Sequence, residues 1–122
     1  MILTFVLPLP PNLANSRMHW RKRHREHSRY RDHLDMLLAM RQLPPVPREP
    51  WARAQVTAVL ALHNPMDDDN AVARCKWPLD WIVSRGYLTD DRRTALRWAS
   101  FPTQEIRRKQ DPTLTLTLER VP

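Results

Sequence analysis

Residues 55–62 read QVTAVLAL, and residues 63–70 continue as HNPMDDDN. The first run is rich in strand formers. Its alternation places Val56, Ala58, Leu60 and Leu62 on one face. His63, Asn64 and Pro65 end it. A helix is then expected from about residue 70 to residue 85, with Val72, Cys75, Leu79, Ile82 and Val83 as its apolar stripe. Pro78 lies inside that stretch. It removes a backbone donor, so the helix should kink or divide there. Gly86, the one glycine of the chain, stands where a helix C-terminal glycine is expected.

Working outward, residues 2–7 are apolar and β-forming, and they run into Pro8, Pro10 and Pro11. A first strand followed by an extended loop fits them. Asn12 and Asn15 carry turn chemistry. Residues 17–31 are dense in Arg, Lys and His. A helix starts in this stretch, capped by Ser28 or beginning a turn earlier. Tyr30, Leu34, Leu37, Leu38 and Met40 form its buried stripe. The prolines at 44, 45, 47 and 50 make a stiff surface connection. Residues 94–101 and 114–118 read as two further strands, joined by a hairpin through residues 102–112. The second (LTLTL) alternates cleanly, so it has one buried and one wet face. The expected fold is a mixed α/β (α+β) single domain over residues 1–122. Its order is β-α-β-α-β-β, with helices packed on a mixed sheet.

The 122 residues suffice for one core, and 42% of them are hydrophobic. One glycine against twelve prolines excludes glycine-rich phosphate loops, hence a nucleotide cofactor of the P-loop or Rossmann kind. A single cysteine, Cys75, forms no internal disulfide, which suits a reducing cytoplasm. No apolar run reaches the roughly 20 residues that a bilayer requires, and the N-terminal segment has no basic leader. The net charge of +7 favours a polyanionic partner, nucleic acid foremost.

Within this basic chain the run Asp67-Asp68-Asp69 stands out, because adjacent carboxylates repel unless a cation intervenes. If the backbone stays extended there, Asp67 and Asp69 share a face, which is half of a hard-cation site. The bland alternative is a solvated turn with Asp69 as helix N-cap. A second acidic pair, Asp90 and Asp91, lies beyond the helix. Lys76 and Asp80 sit at i, i+4 and form either a surface ion pair or part of a site where the lysine neutralises a phosphate. No Ser-His-Asp or Cys-His arrangement is apparent, so covalent catalysis has no candidate.

Arg17, Arg21, Lys22, Arg23, Arg25 and Arg29 are the best phosphate contacts, with Trp20 stacking on a base or packing in the core. His19, His24, His27 and His33 match no common zinc spacing and read as part of the same basic arm. Arg92, Arg93 and Arg97 reach a nucleic-acid strand or form a solvated face. Trp77 and Trp81, off the helix stripe, are a dimer contact or further core. Cys75 reads as a buried helix residue.

At these residues the chain resembles the RusA family of Holliday-junction resolvases. The resemblance is carried by residues 7–11 (LPLPP) with Asn12 and Asn15, then by Asp67-x-Asp69-Asn70 and Lys76-x-x-x-Asp80. Residues 86–91 (GYLTDD) complete it. It implies a homodimeric, Mg2+-dependent endonuclease that nicks four-way DNA junctions symmetrically. Asp67, Asp69 and Asp91 would bind the metal, Lys76 would assist catalysis, and Asp90 would carry less weight. Two other readings stand beside it: a non-catalytic basic nucleic-acid-binding protein, and a metal nuclease acting on other branched DNA or on RNA.

Overall fold

The computed structural model describes residues 1–11 and 20–122. Asn12, Asn15, Arg17 and His19 lie outside the described residues. The elements run β1 (Ile2–Pro8), α1 (Trp20–Ala39), β2 (Ala54–Leu62), α2 (Asp68–Arg74), α3 (Lys76–Arg85), β3 (Leu96–Trp98), β4 (Thr103–Ile106) and β5 (Thr113–Arg120). The expected order is present, with its second helix divided, its third strand shortened to β3, and an additional strand, β4, inside the segment read as a hairpin connection.

The sheet order is β1-β5-β2, with β3 and then β4 along the outer edge of β2. β5 is antiparallel to both neighbours, while β3 and β4 are parallel to β2. The expected hairpin through residues 102–112 is therefore absent: β2 lies between β4 and β5. Its three apolar neighbours explain the insertion. Leu114, Leu116 and Leu118 of β5 stand opposite Leu60, Ala58 and Val56 of β2 on one side. On the other side they stand opposite Leu7, Phe5 and Leu3 of β1. A central β5 thus joins apolar side chains on both flanks, which a terminal hairpin would forgo. The opposite face carries Thr57, Thr115 and Thr117, all half-buried.

The edge strand breaks because the chain takes five steps from Trp98 to Thr103 while β2 takes three from Val56 to Val59. Pro102, which has no N–H to give a ladder, is buried in the break. In register, Trp98 faces Val56 and Gln104 faces Leu60. Both therefore project on the side of the sheet where the core lies.

The helices cover that side. The division of α2 from α3 falls at Cys75, three residues before Pro78. Pro78 thereby sits in the first turn of α3, where no intrahelical donor is required. Gly86 ends α3 at φ +93°, a left-handed C-terminal residue. In α1, Tyr30 and Leu34 are buried as expected, but Met40 lies past the helix end and is 57% exposed. The Tyr30 hydroxyl donates to Pro8 O at 2.8 Å. Asp35 joins α1 to α3, accepting from Trp81 Nε1 at 2.8 Å and from Arg85 at 2.7 Å.

Trp77 and Trp81 are 4% and 1% exposed. The dimer-contact alternative for them fails, because α1 packs over the side of α3 that bears them. His27 of α1 stacks on Trp77 with centroids 4.7 Å apart. The proline-rich segment is pinned at both ends by buried Leu43 and Trp51. Trp51 exchanges backbone hydrogen bonds with Tyr87 and Thr89. The Tyr87 hydroxyl, pushed up to about 12 by burial, donates to Pro44 O.

Candidate active site

The loop that leaves β2 is held by a side chain from the edge strand. The Gln104 carboxamide accepts from Met66 N at 2.9 Å and donates to Met66 O at 2.8 Å. Both backbone groups of the residue before Asp67 are thus fixed. Asp67 is extended (φ −64°, ψ 152°) and is the N-cap of α2, yet its side chain makes no capping bond. The Asp67 carbonyl accepts from Ala71 N at 3.0 Å.

The N-cap alternative for Asp69 is thereby corrected: the cap position belongs to Asp67. The extended alternation expected to align Asp67 with Asp69 also stops at Asp67, because Asp68 and Asp69 are already in the first turn of α2. Acidic residues in that turn complement the helix dipole. Among the described residues, no hydrogen bond or ion pair engages the side chains of Asp67 or Asp69.

Beyond α2 a groove of about 700 Å³ runs between the α2–α3 junction and the edge strand. Lys76, Arg93 and Arg97 supply its cations, and Asp80 and Asp91 its carboxylates. Val72, Leu79, Leu96 and Trp98 make its apolar surface. The fold therefore brings Asp91 and Lys76, fifteen residues apart, to one groove. Asp69 lies one helical turn before Val72 of its wall, and Asp67 caps the same helix. Among the described residues, no three His, Cys, Asp or Glu side chains form a ready metal-ligand group.

Lys76 Nζ stands 4.0 Å from Asp80, and its side chain is 70% exposed. A pair that open is weak, so the ammonium remains accessible to a ligand in the groove. Asp90 has a different task. Its Oδ1 accepts from Asp91 N at 2.7 Å and Arg92 N at 3.2 Å, while Oδ2 pairs with Arg92 Nε at 3.2 Å. Desolvation pushes its carboxyl up, and the Arg92 and Asp91 hydrogen bonds outweigh this and hold it below the ordinary value. Asp90 thus shapes the turn that presents Asp91.

The basic arm is an exposed helix. Lys22, Arg25 and Arg29 recur at one face of α1 and are exposed, with Arg29 paired to Glu26 at 3.6 Å. Arg21 and Arg23 are exposed as well. Trp20 is 67% exposed with the Arg21 guanidinium over its ring at 5.2 Å, so it does not pack in the core. His24 and His33 are exposed, whereas His27 is packed on Trp77. Arg17 falls outside the described residues. Cys75 is fully buried, and burial pushes its thiol up to about 12.

Sequence reasoning missed Gln104 and Trp98. Gln104 carries no local signal, since its role exists only once β4 lies beside β2. Trp98 stood inside a segment read simply as a strand.

No helix among the described residues is long and apolar enough to cross a membrane. No family model matches the chain, and no curated protein matches it.

Proposed function

We propose that this protein is a metal-dependent endodeoxyribonuclease of the Holliday-junction resolvase type, acting on branched DNA as a homodimer. The observation that carries the reading is the meeting of Asp91 and Lys76 in one cationic groove; Asp67 and Asp69 do not line it but stand at the N-terminus of the helix whose Val72 does. A two-fold dimer would offer one such groove to each of two opposed strands of a four-way junction.

The donor chemistry suits Mg2+, a hard ion commonly held by one or two carboxylates together with water and substrate phosphate, without an all-protein cage. By the resemblance Asp67, Asp69 and Asp91 would hold it. They do not form one ligand group as they stand, so the ion would have to draw them together, and Asp67 and Asp69 have no competing side-chain partner among the described residues. When bound, the ion supplies water activation and charge neutralisation at the phosphodiester. The residues of the chain do the rest. Lys76 places a mobile positive charge beside the phosphate. Arg93 and Arg97 hold the strand along the groove. Asp90 fixes the backbone that carries Asp91, and Gln104 fixes the backbone that carries Asp67. The α1 cations Arg21, Lys22, Arg23, Arg25 and Arg29 bind phosphates away from the cut, as Arg17 would from the same basic stretch.

The test is a nicking assay on a synthetic four-way junction with and without Mg2+, alongside flap, duplex and RNA substrates. Paired nicks on the junction that depend on Mg2+ support the reading. DNA binding with no Mg2+-dependent cleavage of any substrate would instead favour a non-catalytic basic nucleic-acid-binding protein. Equal cleavage of flap or RNA would favour a broader metal nuclease. Affinity should fall steeply with added salt.

A further inference from the structure

The geometry points to a nucleotide-binding function for the apolar half of the groove: it takes one unstacked base of a branched DNA, held against the indole of Trp98. The inference rests on the nuclease reading for its ligand class and adds the element that selects branched over continuous duplex DNA.

Three observations carry it. Trp98 is at the edge of the sheet, on its core-facing side, yet 38% of it is exposed. The register explains this: its neighbours in the row, Val56 and Leu118, are fully buried, but among the described residues no strand lies beyond it. The surface beside it is apolar, from Val72, Leu79 and Leu96, and the same groove holds the cations Arg93, Arg97 and Lys76, which outnumber its carboxylates Asp80 and Asp91. An aromatic face over an apolar floor with guanidinium groups at hand matches a nucleotide, whose base is apolar on its faces and whose phosphate is anionic. A purely apolar partner would leave three cations desolvated, and an acidic peptide would not use the indole.

Selectivity follows from access. In a continuous duplex each base is stacked between neighbours, so its face is closed to Trp98. At a branch point the stack is interrupted, and a base reaches the groove at the lower unstacking cost of an already disrupted site. Trp98 is therefore a discriminating contact, while the α1 cations bind duplex and branch alike.

The experiment measures binding without cleavage, in EDTA, to a four-way junction and to a matched duplex. Trp98→Ala should weaken junction binding about tenfold and leave duplex binding within about twofold, whereas Trp98→Phe should keep most of the preference. The reciprocal test uses the unaltered protein, so the folding of a variant does not enter. Branch-point nucleotides are replaced in turn by an abasic site. One position should reproduce the tenfold loss, and 2-aminopurine at that position should be quenched on binding. Abasic substitution without effect at every branch position would overturn the inference. Equal loss on junction and duplex in Trp98→Ala would do the same. A protein that prefers junctions through Trp98 but never nicks would refute the nuclease reading and leave this one standing.

Discussion

Gln104 and Met66, 38 residues apart in sequence, are joined by two hydrogen bonds that use both ends of one carboxamide. The side chain of an edge strand thereby acts as one more rung of backbone pairing, extended past the end of β2. The constraint falls immediately before Asp67.

Gln104→Leu removes both bonds and leaves the Met66 groups partly buried without partners. A loss of about 1–3 kcal/mol in stability is expected from denaturant unfolding. Nicking should fall at least tenfold while junction affinity in EDTA stays within about twofold, since no phosphate contact is touched. Gln104→Glu keeps the acceptor for Met66 N and loses the donor, so it should lie between the two. Full activity in Gln104→Leu would remove the positioning role.

Asp69→Asn should abolish nicking and preserve or tighten junction binding. The substitution deletes one negative charge near the substrate phosphate and keeps the shape of the side chain. Gel-shift and cleavage assays on the same preparation separate the two effects. Simultaneous loss of binding and cutting would count against a direct catalytic role.

Asp35 accepts from the buried Trp81 indole and from Arg85. Asp35→Ala leaves the indole N–H without its partner, for an expected cost of about 1–3 kcal/mol. The half-exposed Arg85 pair adds little. Asp35→Asn, which retains an acceptor for Trp81, should recover most of the loss in a urea melt.

His27 lies against Trp77, and its Nε2 is buried with no hydrogen-bond partner among the described residues. Burial first, and Arg31 next, hold its imidazole below the ordinary value of 6.5. The unfolded chain therefore takes up a proton more readily than the folded one. The contribution of His27 is complete above the unfolded value and is lost as pH falls through 6.5 toward the lower folded value. Melting curves between pH 7.5 and pH 5 should show declining stability, and His27→Phe should flatten that decline. An unchanged slope in His27→Phe would assign the acid sensitivity elsewhere.

Cys75 is fully buried and its thiol is pushed up to about 12, so the thiolate is scarce at neutral pH. The folded protein should resist iodoacetamide at pH 8, with labelling appearing only as denaturant unfolds the domain. Rapid labelling of the native state, followed by mass spectrometry, would contradict the placement of this residue.

Local pattern determined a great deal. The alternation of residues 55–62 and of 114–118, the division required by Pro78, and the stop at Gly86 each depend on a few neighbouring residues. Each of these features is present where the pattern put it, apart from a shift of the helix division to Cys75. The acidic runs were legible too, because like charges side by side are costly without a purpose.

What only the tertiary structure decided is which segments lie next to one another. An alternating strand such as β5 has the same pattern whether it pairs at an edge or in the middle. Its central place follows from the apolar rows of β1 and β2 on either side, which no local window contains. The same holds for Trp77 and Trp81, buried by helix residues nearly 50 positions away in sequence. It holds for Gln104, whose function begins only when β4 lies beside β2. It holds above all for Asp91 and Lys76: their types suggested chemistry, but their shared groove is a product of the crossover from β2 through α2 and α3 to the edge strand. Side-chain periodicity is a short-range property of the backbone, whereas proximity across a sheet is set by the burial of the whole apolar surface at once.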